Sequence, residues 1–121
     1  MPDELTVTEV RSRTVVGVPG RSVNSSRTHH FVIDEPASMG GPGEELTPAE
    51  VFLAGVSGCG VLLVESFARK DGVPLKEARA QIQGIRLKSD PANFREVKLD
   101  FELVGVTQAQ GEQLVEKFKG R

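Results

Sequence analysis

The sequence predicts an α+β fold, and three observations carry that prediction. Short alternating apolar and polar segments cluster before residue 35 and again between residues 76 and 106. One long apolar segment with a well-marked start separates the two clusters. A shorter amphipathic segment closes the chain. Strands and helices are therefore segregated in the order β-β-β-α-β-β-α rather than alternating, which is the α+β pattern. The 121 residues fit a single domain spanning 1–121.

Taken in order, ELTVTEV (Glu4–Val10) alternates and reads as a first strand. RTVVGV (Arg13–Val18) reads as a second, stopped by Pro19-Gly20, and Thr28–Asp34 as a third. The polar RSVNSSR between the second and third reads as a loop or a short extended link. The three strands predict an antiparallel β-meander. Glu35–Leu46 has three glycines and two prolines in twelve residues and reads as a loop.

The loop ends in Thr47-Pro48-Ala49-Glu50. Thr47 can cap a helix, Pro48 suits its first position, and Glu50 completes a capping box. The helix runs to about Lys70, where Asp71-Gly72 and then Pro74 stop it. At 1.5 Å per residue this central helix is about 35 Å long. Lys76–Ser89 alternates as a strand, with a phase slip at Gly84 that predicts a bulge. DPAN is a turn, and Phe94–Val106 alternates through Val97, Leu99, Phe101 and Leu103. Thr107 and Gln110 form a second capping box before a C-terminal helix with Leu114, Val115 and Phe118 on one face, ended by Gly120.

Composition excludes several functions. Fifteen basic and seventeen acidic residues are well mixed, for a net charge of -2, so no basic stripe points to nucleic acid. The start, MPDELTVTEV, is unlike a signal peptide. Unbroken apolar runs such as GVLLV are too short to cross a membrane, so no membrane partner is expected. A single cysteine forms no internal disulfide, and a reducing cytoplasm is the simplest compartment. No metal-ligand spacing occurs, and His29 and His30 are adjacent on a strand and face opposite ways. GGPG lacks the lysine of a phosphate loop. Neither metal nor cofactor is expected.

The central helix contains Gly55, Gly58 and Gly60 within six residues. Each glycine costs about 1 kcal/mol relative to alanine inside a helix, roughly 3 in all. Close approach by another element is the physical reason to accept that cost. From Val51 to Val64 the helix is apolar nearly all round and should be buried on most sides. A five-stranded sheet covers one side only, so a second copy of the helix is expected on the other, in a homodimer.

Cys59 lies on this helix. It reads either as a thiolate nucleophile or as a small buried hydrophobe. It is too far from the helix N-terminus for much help from the dipole. A thiolate would need a cation from another segment, and Arg21, Arg27, His29 and His30 are candidates by type.

The stretch DEP…GGPGEELTPAEVFLAGVSGC, from Asp34 to Cys59, resembles the signature of the OsmC-like family, which includes osmotically inducible protein C and the organic hydroperoxide resistance proteins. The resemblance implies an intertwined homodimer with active sites at the subunit interface. It implies thiol-dependent reduction of organic hydroperoxides in oxidative or osmotic stress. Cys59 falls on the peroxidatic position, Arg21 or Arg27 would stabilise its thiolate, and Glu50 would orient that arginine. Active peroxidases carry the acid directly after the helix-start proline, where this chain has Ala49. Their resolving cysteine lies in a Cys-Pro motif after the last helix. This sequence stops at EKFKGR, so the expectation is either a shortened chain or a one-cysteine member reduced by an external thiol or dithiol. The alternative is a non-catalytic dimer that binds a small apolar molecule at the interface.

Overall fold

A computed structural model describes residues 3–120. The chain divides into two compact units, residues 1–51 and 52–121.

The first unit is a three-stranded antiparallel sheet of β1 (Arg11–Thr14), β2 (Arg21–Ser26) and β3 (His29–Asp34), with β2 in the centre. The expected strand over Glu4–Val10 is absent. Its alternation is real, but a strand needs a ladder partner, and Leu5 and Val7 are 91% and 83% exposed. The expected second strand contributes only its first two residues, to β1. Beyond them the Val18 N–H bonds back to the Val15 carbonyl (3.1 Å), and residues 15–20 form a turn. The polar link instead provides the central strand. Polar side chains are tolerated there because they find hydrogen-bond partners, several of them across the sheet. Buried Asn24 accepts from the Ser12 hydroxyl (2.6 Å) and donates to the Ser22 hydroxyl (3.2 Å) and the Phe31 carbonyl (3.3 Å).

Residues 35–46 form the expected loop, with one 3-10 turn at Ala37–Met39. It is folded tightly on itself: a Cβ on Gly41 would lie 2.1 Å from the Glu35 carbonyl oxygen, so only glycine fits.

α1 (Pro48–Lys70) starts and stops as its sequence predicts. The Thr47 N–H donates to Glu50 Oε1 (2.8 Å) and the Glu50 N–H to Thr47 Oγ1 (3.2 Å). At the far end Gly72 adopts φ 66°, and the Val73 N–H reaches the Ala68 carbonyl (2.9 Å), a Schellman ending.

The second unit adds the hairpin β4 (Glu77–Ile85) and β5 (Glu96–Val104), then α2 (Gln108–Lys119). The strands thus form two sheets, of three and two strands, in place of one five-stranded sheet. Pairing runs unbroken from Glu77 opposite Val104 to Ile85 opposite Glu96, so Gly84 marks no bulge. It is instead the seat of the Phe94 ring: a Cβ there would come within 2.4 Å of Phe94 Cε1. Thr107 and Gln110 form the expected capping box.

The core is Val64, Ala68 and Leu114, flanked by Phe67, Val73, Leu75, Ala78, Phe101, Leu103 and Phe118. Phe101 and Phe118 meet edge to face at 5.3 Å, both against Gly60, where a Cβ would lie 3.1 Å from Phe101 Cζ. α1 is therefore buried along one stripe, Gly60, Val64 and Ala68. Its other faces expose Phe52 (60%), Val56 and Leu62 (64%), and Cβ atoms on Gly55 or Gly58 would meet nothing within 4 Å. By length and composition α1 matches a membrane-spanning helix, a pattern that the core helix of a soluble protein shares.

Candidate functional site

Arg21 opens β2 and stands opposite Asp34, the last residue of β3. The guanidinium grips the carboxylate with two parallel bonds, Nε to Oδ1 at 2.7 Å and Nη2 to Oδ2 at 2.8 Å. Such a fork is stronger and more directional than a single-point pair. Asp34 Oδ2 also accepts the Glu44 and Glu45 N–H groups, each at 3.1 Å. Arg21 Nη2 donates in addition to Glu44 Oε1 at 3.2 Å. The Asp34 side chain is fully buried, yet these donors satisfy it. The Arg21 bond first, with the two loop N–H groups assisting against burial, holds its carboxyl down at about 2. The same pair raises the Arg21 pKa further above its ordinary value. One carboxylate thus fixes both an arginine and the glycine-rich loop.

The other expected residues lie elsewhere. Glu50 does not reach Arg21. Its carboxylate is taken up by Thr47, whose N–H and hydroxyl lower its pKa. Arg27 sits exposed in the two-residue loop joining β2 to β3, with φ 54°. Arg21 begins β2 and Arg27 follows its last residue, so six residue steps, about 20 Å, separate them. Asp34 and Glu44 were not among the expected site residues. Once the turn is placed at Arg27-Thr28, strand arithmetic puts Asp34 opposite Arg21, and that is the signal that finds it.

Cys59 belongs to the second unit and is an exposed free thiol. Phe52, Val56 and Cys59, at i, i+4 and i+7, share one exposed face of α1. Phe94 stacks against Phe52 with centroids 6.3 Å apart and planes 23° from parallel. The Arg86 guanidinium lies 5.3 Å from the Phe94 centroid. The thiol thus shares its helix face with valine and a stacked phenylalanine. Among the described residues no cluster of three or more His, Cys, Asp or Glu could hold a metal.

The family model for OsmC-like protein matches residues 41–121, which include the second half of the glycine-rich loop, α1 and everything after it. The chain belongs to the OsmC-like family. Solved OsmC-like structures share its fold. The OsmC-like protein from Mycoplasma pneumoniae superposes with a TM-score of 0.79 at 14% identity, covering 96% of this chain and 82% of that one. The organic hydroperoxide resistance protein OsmC from Legionella pneumophila gives 0.69 at 19%, covering 98% and 85%. The organic hydroperoxide resistance protein OhrB of Bacillus subtilis gives 0.64 at 20%, covering 97% and 86%. At these identities the likeness establishes the OsmC-like fold. No curated protein matches the sequence.

Proposed function

We propose that this OsmC-like chain protects against peroxide stress by reducing organic hydroperoxides with Cys59. The observation that carries this reading is an exposed thiol on the apolar Phe52–Val56 face of α1, in a family whose fold is shared by organic hydroperoxide resistance proteins. In the reaction the Cys59 thiolate attacks the terminal peroxide oxygen. The O–O bond breaks, its electron pair leaves on the alkoxide, and protonation gives the alcohol and a cysteine sulfenic acid. Two equivalents of an external thiol, or one dithiol, then return the thiol and release water and a disulfide. The apolar face favours a substrate with a hydrocarbon body over hydrogen peroxide.

Arg21 is the arginine we assign to thiolate stabilisation. It is partly buried and held in one orientation by Asp34, whereas Arg27 is an exposed turn residue. The homodimer is part of the same proposal. A second copy would cover the open Gly55 and Gly58 surface and the exposed Leu62. We place the protein in the cytoplasm, in line with its single reduced cysteine.

A second reading, a non-catalytic dimer that binds an apolar molecule, is favoured by one observation. The acid and the arginine expected to serve the site are both engaged elsewhere: Glu50 caps α1, and Arg21 is already paired with two carboxylates. Peroxidase assays with an aryl hydroperoxide and dithiothreitol decide between them. Turnover lost in Cys59→Ser supports the enzyme; no turnover, with a Cys59 alkylation pKa near 8.5 or above, supports the binding dimer.

A further inference from the structure

A cavity of about 460 Å³ opens beside the β1–β2 end of the first unit, lined by Val7, Thr8, Glu9, Arg11, Ser25, Ser26 and Arg27. We propose that it binds a phosphate-bearing anion. Its volume is that of a small-molecule site. Arg11 and Ser25 are cross-strand partners and so share a face of the sheet. Arg11 gives its Nε to Glu9 Oε1 (3.1 Å), which leaves both terminal nitrogens for a ligand. Ser26 donates to the Glu9 carbonyl (2.9 Å), tying the segment before β1 to the wall. The Ser25 hydroxyl is steadied by His30 Nδ1 (2.8 Å).

Arg27 supplies the second observation. It is the one non-glycine residue with positive φ among the described residues, at 54°. Glycine or asparagine would serve that turn more cheaply, so the turn does not explain the arginine. Its guanidinium makes no ion pair among the described residues, although it lines the cavity. Two guanidinium forks against one carboxylate leave a net positive site. Together with the Thr8 hydroxyl they offer more donors than a carboxylate accepts, which matches a phosphate dianion. Val7 would lie against a small apolar body attached to it.

The test is an NMR titration of the full chain with phenyl phosphate and with inorganic phosphate at constant ionic strength. Saturable shifts should map to residues 8, 11 and 25–27. Arg27→Gly suits the backbone at φ 54° while deleting the guanidinium. It should weaken binding by about tenfold or more, the loss of one charge-assisted pair, with the thermal midpoint unchanged or raised. Arg79→Ala, on the second unit, should leave binding unchanged. Flotation with phosphatidylcholine vesicles, with and without phosphatidic acid, separates the sources. Arg27-dependent flotation with phosphatidic acid supports a lipid headgroup; phenyl phosphate binding without flotation supports a soluble phosphate ester. Unsaturable shifts, equal binding by Arg27→Gly, or equal loss in Arg79→Ala would overturn the proposal.

Discussion

Arg21 and Asp34 close the open end of the β2–β3 hairpin with a two-bond fork whose acceptor is fully buried. The same acceptor holds the Glu44 and Glu45 N–H groups. Removing its charge therefore weakens the arginine's position and the glycine-rich loop together. Asp34→Asn should lower the thermal midpoint by roughly 5–10 °C and raise the hydrogen-exchange rate of the Glu44 and Glu45 amides. An unchanged midpoint would show that the loop is held by other contacts.

The acid limb of stability follows from the same residue. The Asp34 carboxyl falls from its ordinary 3.8 to about 2 in the folded protein. A depressed carboxyl stabilises the fold above its unfolded value and loses that contribution as pH falls through its folded value. The window is thus about pH 4 down to pH 2. The thermal midpoint of the unaltered protein should decline across it. The gap to Asp34→Asn should be widest above pH 4 and nearly closed at pH 2. A constant gap would mean that the carboxyl is not the titrating group.

Two glycines on α1 make opposite predictions. Gly60 is covered within the chain by Phe101 and Phe118. Gly60→Leu should therefore destabilise the folded chain by about 1–3 kcal/mol through overpacking. Gly58 faces open space. Gly58→Leu should leave chain folding intact, gaining up to about 1 kcal/mol of helix propensity, yet weaken the proposed dimer by crowding its interface. Sedimentation velocity checks this: a shift toward monomer in Gly58→Leu supports the assignment, and an unaltered dimer sinks it.

What could be read from the sequence depended on whether the governing interaction was local. Both capping boxes, the Gly72 ending of α1 and the alternation of β5 rest on neighbours within a few residues, and all were legible. β2 was not, because its stability lies in partners across the sheet: Ser12 for Asn24, Asp34 for Arg21, His30 for Ser25. Gly84 was misread for the same reason, since its meaning comes from Phe94 ten residues away. At the candidate site, helical spacing alone left Cys59 open between nucleophile and buried hydrophobe, and only the family resemblance singled it out. The choice between Arg21 and Arg27 was not legible, because it turns on the register of the β2–β3 hairpin.

That choice can be tested directly. If Arg21 stabilises the Cys59 thiolate, the unaltered protein should react with iodoacetamide at neutral pH faster than a free cysteine does. Arg21→Lys keeps the charge but loses the fork that Asp34 grips, so the ammonium is no longer held in one orientation. Alkylation at neutral pH should slow toward the free-cysteine rate, and kcat/KM for an aryl hydroperoxide should fall by about 10- to 100-fold. Circular dichroism and the midpoint of Arg21→Lys separate this from unfolding, because a merely structural role would not move the thiol's alkylation rate. If Arg27→Gly slows alkylation and Arg21→Lys does not, the assignment belongs to the other end of β2.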